Sequence, residues 1–316
     1  MTQVDAGQAV IKTPVTWRIT PGVVGAILLL VIALPCFLTI PWSMAEYDNQ
    51  RMQVDVAYQY MSPELTEPFG TDLLGRSMFW RSLLGGAISL GIGISAACIA
   101  VTIGTTWGCI AGYMGGNIDA AMMRFVDILY GLPYILLVVL LDIGLSPAVE
   151  HFANWVLKAD VASGVADVVT LLLAIGGVSW LTTARVIRGQ VLSLRSQPFM
   201  EATRALGLSP MRAMVVHLLP NLIGPIVVYA TLAVPQAILQ ESFLSFLGIG
   251  VQAPLPSWGN LAAGGVKELQ NLAANLTFHW WLLLFPCLLL GLTLMSLNFL
   301  GDELRERFDP RSTRRR

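Results

Sequence analysis

Apolar runs alternate with short polar connections along this chain, and the length of the runs is the first constraint on its fold. A helix crossing a hydrocarbon core of about 30 Å needs about 20 residues. Six stretches meet that need: residues 23–42, 83–113, 121–145, 168–187, 222–247 and 278–300. Each predicts a membrane-spanning helix. The first run exceeds the roughly 7–15 apolar residues of a signal-peptide core, so it is read as a retained anchor. The second reads 85-GGAISLGIGISAACIAVTIGTTWGCIAGYMGG-116 and is dominated by Gly, Ala, Ser and Thr. Small residues let helix backbones approach closely in lipid, so this span is expected among other helices rather than against lipid. Pro133 interrupts the third run and Pro235 the fifth, without an internal repeat that relates them.

Charge then orients the spans. Alternating them puts Lys12, Arg18, Arg124, Arg185, Arg188, Arg195, Arg204, Arg212 and the six arginines from Arg305 to Arg316 on one side. Arg51, Arg76, Arg81, Lys158 and Lys267 fall on the other. The positive-inside rule makes the first side cytoplasmic, with both termini there. The chain expected is a multi-pass membrane protein. Only 12% of the 316 residues are charged, mean hydropathy is +0.67 and the net charge is -1, which suggests no nucleic-acid partner. Cys36, Cys98, Cys109 and Cys287 lie in apolar runs with no metal or disulfide spacing, and read as packing residues.

On the other side, residues 44–82 form a long loop rich in acids. It ends in 68-PFGTDLLGRSMFWRSLLGGA-87, where apolar and aromatic positions alternate with Arg76 and Arg81 as in an interfacial helix. After the fifth span, 254-PLPSWGN-260 is punctuated by proline and glycine, and Ser257 is placed to cap a short helix that includes residues 261–272. These segments read as a docking surface for an external partner or as plugs that cover the bundle.

The connection between spans four and five is the most informative stretch, 201-EATRALGLSPMRAMVVHLLPN-221. Pro198 suits a first helical position, and Glu201 falls in the first turn, where an acid complements the helix dipole. Gly207 reads as a left-handed stop. Ser209 and Pro210 read as N-cap and first residue of a second short helix running to His217. The expectation is a rigid knob of two short helices, held between two spans and able to transmit force.

This segment resembles the EAA loop of ABC importer permeases. Glu201, Ala202, Gly207, Leu219 and Pro220 match that pattern in residue and spacing. Thr203 replaces its third small residue, and His217 stands in place of its Ile, as in the dipeptide/oligopeptide branch. The flanks 70-GTDLLGR-76, 185-RVIRGQVLSLR-195, 241-ESFLSFLGIGVQAPLPSWGN-260 and 298-NFLGDELRERFDP-310 are similar to the C-type permease of dipeptide, oligopeptide and nickel importers. Ser77 stands where that family usually has Asp. The resemblance implies an all-α integral membrane protein with the six-helix type I ABC importer permease fold. It divides the chain into residues 1–82 (N-terminus, first helix and external loop), 83–301 (transmembrane domain, EAA loop at 198–221) and 302–316 (basic tail). It also implies a second homologous permease, two cytoplasmic ATP-binding subunits and an external substrate-binding protein, with peptides as the first substrate class and nickel as another. Glu201, Ala202, Thr203, Gly207, Ser209, Pro210, His217, Leu219 and Pro220 would couple the chain to the ATPases.

The chain lacks a motor of its own. Its three lysines, Lys12, Lys158 and Lys267, do not follow glycine, so no phosphate-binding Gly-Lys-Ser/Thr loop exists. His151, His217 and His279 have no zinc-protease spacing, and no Gly-x-Ser-x-Gly elbow occurs. No catalytic residue, metal or cofactor is expected. Acids within spans are functional suspects. Asp127 reads as paired with Arg124, one turn away. Asp142, Gln240 and Glu241 are candidates for lining a pathway. The basic tail suits anionic lipid headgroups. An ion-coupled six-helix transporter or channel is the alternative reading, and an intramembrane enzyme a third; neither accounts for the knob.

Overall fold

The computed structural model describes residues 20–53, 55–156, 159–275 and 279–308, with side chains described outside 157–162 and 270–278. The segment before Thr20 and the tail beyond Phe308 lie outside the described residues, as do Lys12, Arg18, Lys158 and the start of the sixth predicted span. Among the described residues, six helices are long and apolar enough to cross a membrane.

Helix α1 (Pro21–Leu38) is capped by Thr20, whose hydroxyl accepts from the Val23 N–H at 3.4 Å, with Pro21 in the first turn. It packs along the last helix, and its outward face shows Ile27, Leu30 and Val31. After α2 (Ile40–Glu46) the chain enters a folded layer that ends at Ser77. Asp72 organises this layer. Its Oδ1 accepts from the Leu74 and Arg76 N–H groups at 2.9 and 3.0 Å, and its Oδ2 from Arg76 Nε at 2.8 Å. Arg76 also reaches Asp48, while Arg51 pairs with Glu67. Ser77 donates to Glu67 at 2.6 Å.

The interfacial helix expected over 68–87 does not form. The Asp72 turn holds residues 68–77 as a loop, and Met78 opens the long α3 (Met78–Met114), in whose first turn Arg81 is buried. Helix α3 then packs along α6 (Ala159–Arg195) as the centre of the bundle, as its small-residue composition led one to expect. Gly104 and Gly108 sit directly on the α6 backbone. A Cβ on either would come within 2.8 Å of Trp180 O or 2.6 Å of Ala184 O.

The third span begins later than its hydropathy suggested. Residues 116–130 form a separate amphipathic helix, α4 (Gly116–Tyr130), and α5 (Tyr134–Val156) starts after Gly131-Leu132-Pro133. Proline cannot donate to the helix ladder and disfavours helical geometry in the residue before it, so the apolar run breaks there. Residues 121–130 therefore belong to the arginine-rich end of the bundle.

Beyond α6 lie α7 (Pro198–Ala205), one turn α8 (Pro210–Arg212), a wide π turn over Ala213–Leu218, and α9 (Leu219–Phe246). The second short helix is thus the first turns of the fifth span. The π turn carries the helix into Pro220: Leu219 donates to Met214 O, five residues back. The side chain of Asn221 donates to His217 O at 2.7 Å. At the opposite end, α10 (Trp258–Asn275) opens with Ser257 as expected of a cap, beginning three residues before 261. Ser257 and Asn260 exchange bonds reciprocally, Asn260 N–H to Ser257 Oγ at 3.3 Å and Ser257 N–H to Asn260 Oδ1 at 2.9 Å. Helix α11 (Trp281–Phe308) closes the bundle against α1, α9 and α10.

The folded layer is fastened to these last elements. Trp281 Nε1 donates to Thr71 O at 3.1 Å, and Tyr60 stacks on His279 while donating to Glu268 at 2.7 Å. Burial, and then the bond to Glu268, raises the Tyr60 phenol above its ordinary pKa and keeps it a donor.

Candidate functional site

Two features stand out: the knob between α6 and α9, and a cavity inside the bundle. In the knob, Gln197 is extended and Pro198 opens α7. Met200 and Thr203 are buried and fasten the helix to the bundle, and the Thr203 hydroxyl turns back onto Met200 O at 2.8 Å. Glu201, Ala202, Arg204 and Ala205 remain exposed, followed by Leu206 at 79% exposure. The helix ends in a paired closure. Leu208 N–H donates to Thr203 O at 3.2 Å and Gly207 N–H to Arg204 O at 3.0 Å, with Gly207 at φ +68°. That is the Schellman arrangement, which leaves few free carbonyls and fixes the direction of the exit. Ser209 is extended before Pro210, and its carbonyl accepts from Ala213 N–H at 2.9 Å; its hydroxyl makes no capping bond. Met211, Val215 and Val216 are exposed on the following turns, while Ala213 and Leu218 are buried. The knob is a short helix with a locked end, buried on one side and bare on the other.

Ion pairs brace this end. Arg188 grips Asp119 with two bonds of 2.5 and 2.6 Å, and Arg185 holds Asp127 at 2.7 Å. The expected Asp127–Arg124 pair is replaced by this contact. The tertiary packing of α4 on α6 brings Arg185 closer than a neighbour on the same helix. Arg185 also lies 3.9 Å over the ring of Tyr130.

Tyr130 is one wall of a cavity of about 470 Å³ between α3, α5, α6 and α9. Its polar lining comes from Tyr130, Tyr134, Ser179, Thr182, Thr183, Tyr229, Gln236 and Gln240, set among Leu, Val and Ala side chains, and none of the described residues lining it is charged. Gln240 Oε1 accepts from Tyr134 OH at 2.6 Å and from Ser179 Oγ at 3.3 Å, which joins three helices across one end. Of the three residues singled out for a pathway, Gln240 lines this cavity. Glu241 points away and is fully buried against serines, and Asp142 is half-buried outside the lining. The tyrosines and hydroxyls of the wall were missed by sequence reasoning. Neutral residues in apolar helices carry no charge signal.

A six-span bundle that holds a cavity of mixed apolar and uncharged polar lining and projects one rigid knob has the build of a transport permease. Residues 104–314 match the family described as binding-protein-dependent transport system inner membrane component, and the chain belongs to that family. It has the type I ABC importer permease fold, and it is a multi-pass inner-membrane subunit of an ABC transporter. It is 40% identical over 256 residues to the dipeptide transport system permease protein DppC of Bacillus subtilis, covering 81% of this chain and 72% of that protein. It is 43% identical over 243 residues to the oligopeptide transport system permease protein OppC of Haemophilus influenzae, covering 77% and 70%. It is 40% identical over 292 residues to OppC of Escherichia coli K12, covering 92% and 87%. Family membership sets aside the ion-coupled transporter and the intramembrane enzyme.

Proposed function

We propose that this chain forms one half of the translocation pathway of a peptide importer. It pairs with a second homologous permease, is driven by two cytoplasmic ATP-binding subunits, and receives cargo from an external binding protein. The arginine-rich end, with both termini and the knob, faces the cytoplasm. Residues 83–301 act as the transporting domain. The shape of α7 carries this reading: Met200 and Thr203 fasten it, Gly207 closes it, and Glu201, Ala202 and Leu206 are left bare for a partner. Ser209 and Pro210 restart the chain, and His217, Leu219 and Pro220 shape the turn that feeds any push into α9. Peptide cargo is supported by the dipeptide and oligopeptide transporters among the relatives and by the uncharged, hydrogen-bonding wall, which suits amide groups better than a bare dication.

The test is separation of transport from hydrolysis. Glu201→Lys and Gly207→Pro are expected to leave the complex assembled and to abolish uptake that depends on ATP. Wild-type uptake in both variants refutes the coupling role. Mass spectrometry of ligands released from the co-purified binding protein identifies the cargo, with short peptides expected.

A further inference from the structure

We infer that Glu241 is a positioning residue that locks the outer loop and α10 onto α9, so that a load placed on α10 from outside reaches Gln240 in the cavity. Residues 240 and 241 are neighbours on one helix with opposite tasks. Gln240 lines the cavity and ties α9 to Tyr134 and Ser179. Glu241 is 0% exposed and is held by two hydroxyls of its own helix. Ser245 donates to it at 2.7 Å and Ser242 at 3.2 Å, both on α9. Ser89 of α3 and Ser257 of the outer loop flank it.

A hydroxyl has one proton to give, so a hydroxyl that donates to the carboxyl group turns its lone pairs outward. Serine lone pairs around Glu241 hold the backbone of the outer loop. Ser245 Oγ accepts from Val251 N–H at 3.0 Å, Ser89 Oγ from Trp258 N–H at 3.3 Å, and Ser257 Oγ from Asn260 N–H at 3.3 Å. The Glu241 carboxyl group therefore orients Ser245 toward Val251, whose carbonyl in turn accepts from the Asn260 side chain in the first turn of α10. The seat has no slack. Trp258 is fully buried with its Nε1 on Ser82 O at 3.0 Å, and a Cβ on Gly259 would come within 2.7 Å of Ser242 Cα. A closely packed, hydrogen-bonded contact moves as a unit.

The inference rests on the proposed docking of a binding protein at this end. The experiment uses the full complex in nanodiscs, with the cognate binding protein loaded with trialanine as probe. ATPase is measured with and without that protein, and amide exchange is followed over residues 249–261. Removal of a buried hydrogen-bonded carboxyl group costs enough to weaken the linkage by about tenfold. For Glu241→Ala the expected result is faster exchange in that segment, ATPase without the binding protein close to wild type, and a stimulated increment reduced about tenfold. Ser257→Ala, which removes one bond at the loop side, should show the same pattern to a smaller degree and keeps the test open if Glu241→Ala fails to assemble. Glu241→Gln, which keeps an acceptor, should restore most of the stimulation. Faster exchange with full stimulation overturns the linkage while leaving docking intact. A wild-type complex that the loaded protein does not stimulate overturns the docking reading and the inference with it.

Discussion

Single residues show how the same amino acid serves different physical ends. Gly207 has open space around it and is needed for its backbone angle, φ +68°. A side chain there costs about 1–2 kcal/mol in the left-handed region, less for Asn, which tolerates it. Gly108 is helical and is needed for space, since α6 lies where its side chain would go. Gly207→Asn is therefore expected to retain transport. Gly108→Leu is expected to destabilise the bundle by about 1–3 kcal/mol or more through overpacking, seen as a lower melting temperature of the purified complex. Ser77 is a third case. Its hydroxyl donates to buried Glu67, a contact that a carboxylate in its place would turn into repulsion.

At the scale of elements, the question is what holds α4 and α7 on the bundle. Helix α4 shows exposed apolar residues such as Ile118, Phe125 and Ile128, and its charged contacts to α6 fix its position. Asp119 is nearly buried and Arg188 grips it with two bonds, whereas the Asp127–Arg185 pair is more exposed and contributes little by itself. Asp119→Arg should lower assembly and transport clearly, and adding Arg188→Asp should recover part of the loss; Asp127→Asn should change either by less than about twofold. Uptake assays on membranes with matched protein levels separate these outcomes. For α7 the sequence pattern was legible in full: first-turn proline and acid, then a glycine stop. Its partner element was not, because the helix after Pro210 runs on into the membrane through a π turn.

The whole molecule divides labour between its ends. The arginine-rich end carries the knob braced by α4 and α6, the middle holds the cavity, and the opposite end is a layer built on Asp72, Glu67 and the start of α10. With no phosphate-binding loop in the sequence, the purified chain alone is expected to hydrolyse no ATP, and turnover by the isolated subunit contradicts the division of labour. A cysteine at exposed Met211 is expected to resist an impermeant thiol reagent in intact cells and to react once cells are opened. Labelling from outside reverses the proposed orientation.

By itself the sequence determined the number of spans, the buried character of α3, the glycine stop of the knob and the absence of a motor motif. Each depends on local chemistry: apolar length, side-chain size, one backbone angle, a contiguous motif. Tertiary structure decided which partner Asp127 takes, that 121–130 leave the third span, that Glu241 faces serines while Gln240 faces the cavity, and that Tyr134 and Ser179 meet it there. These depend on which helices lie side by side. Residues far apart in the chain become neighbours only when the bundle closes, and nothing local in the sequence records the distance between them.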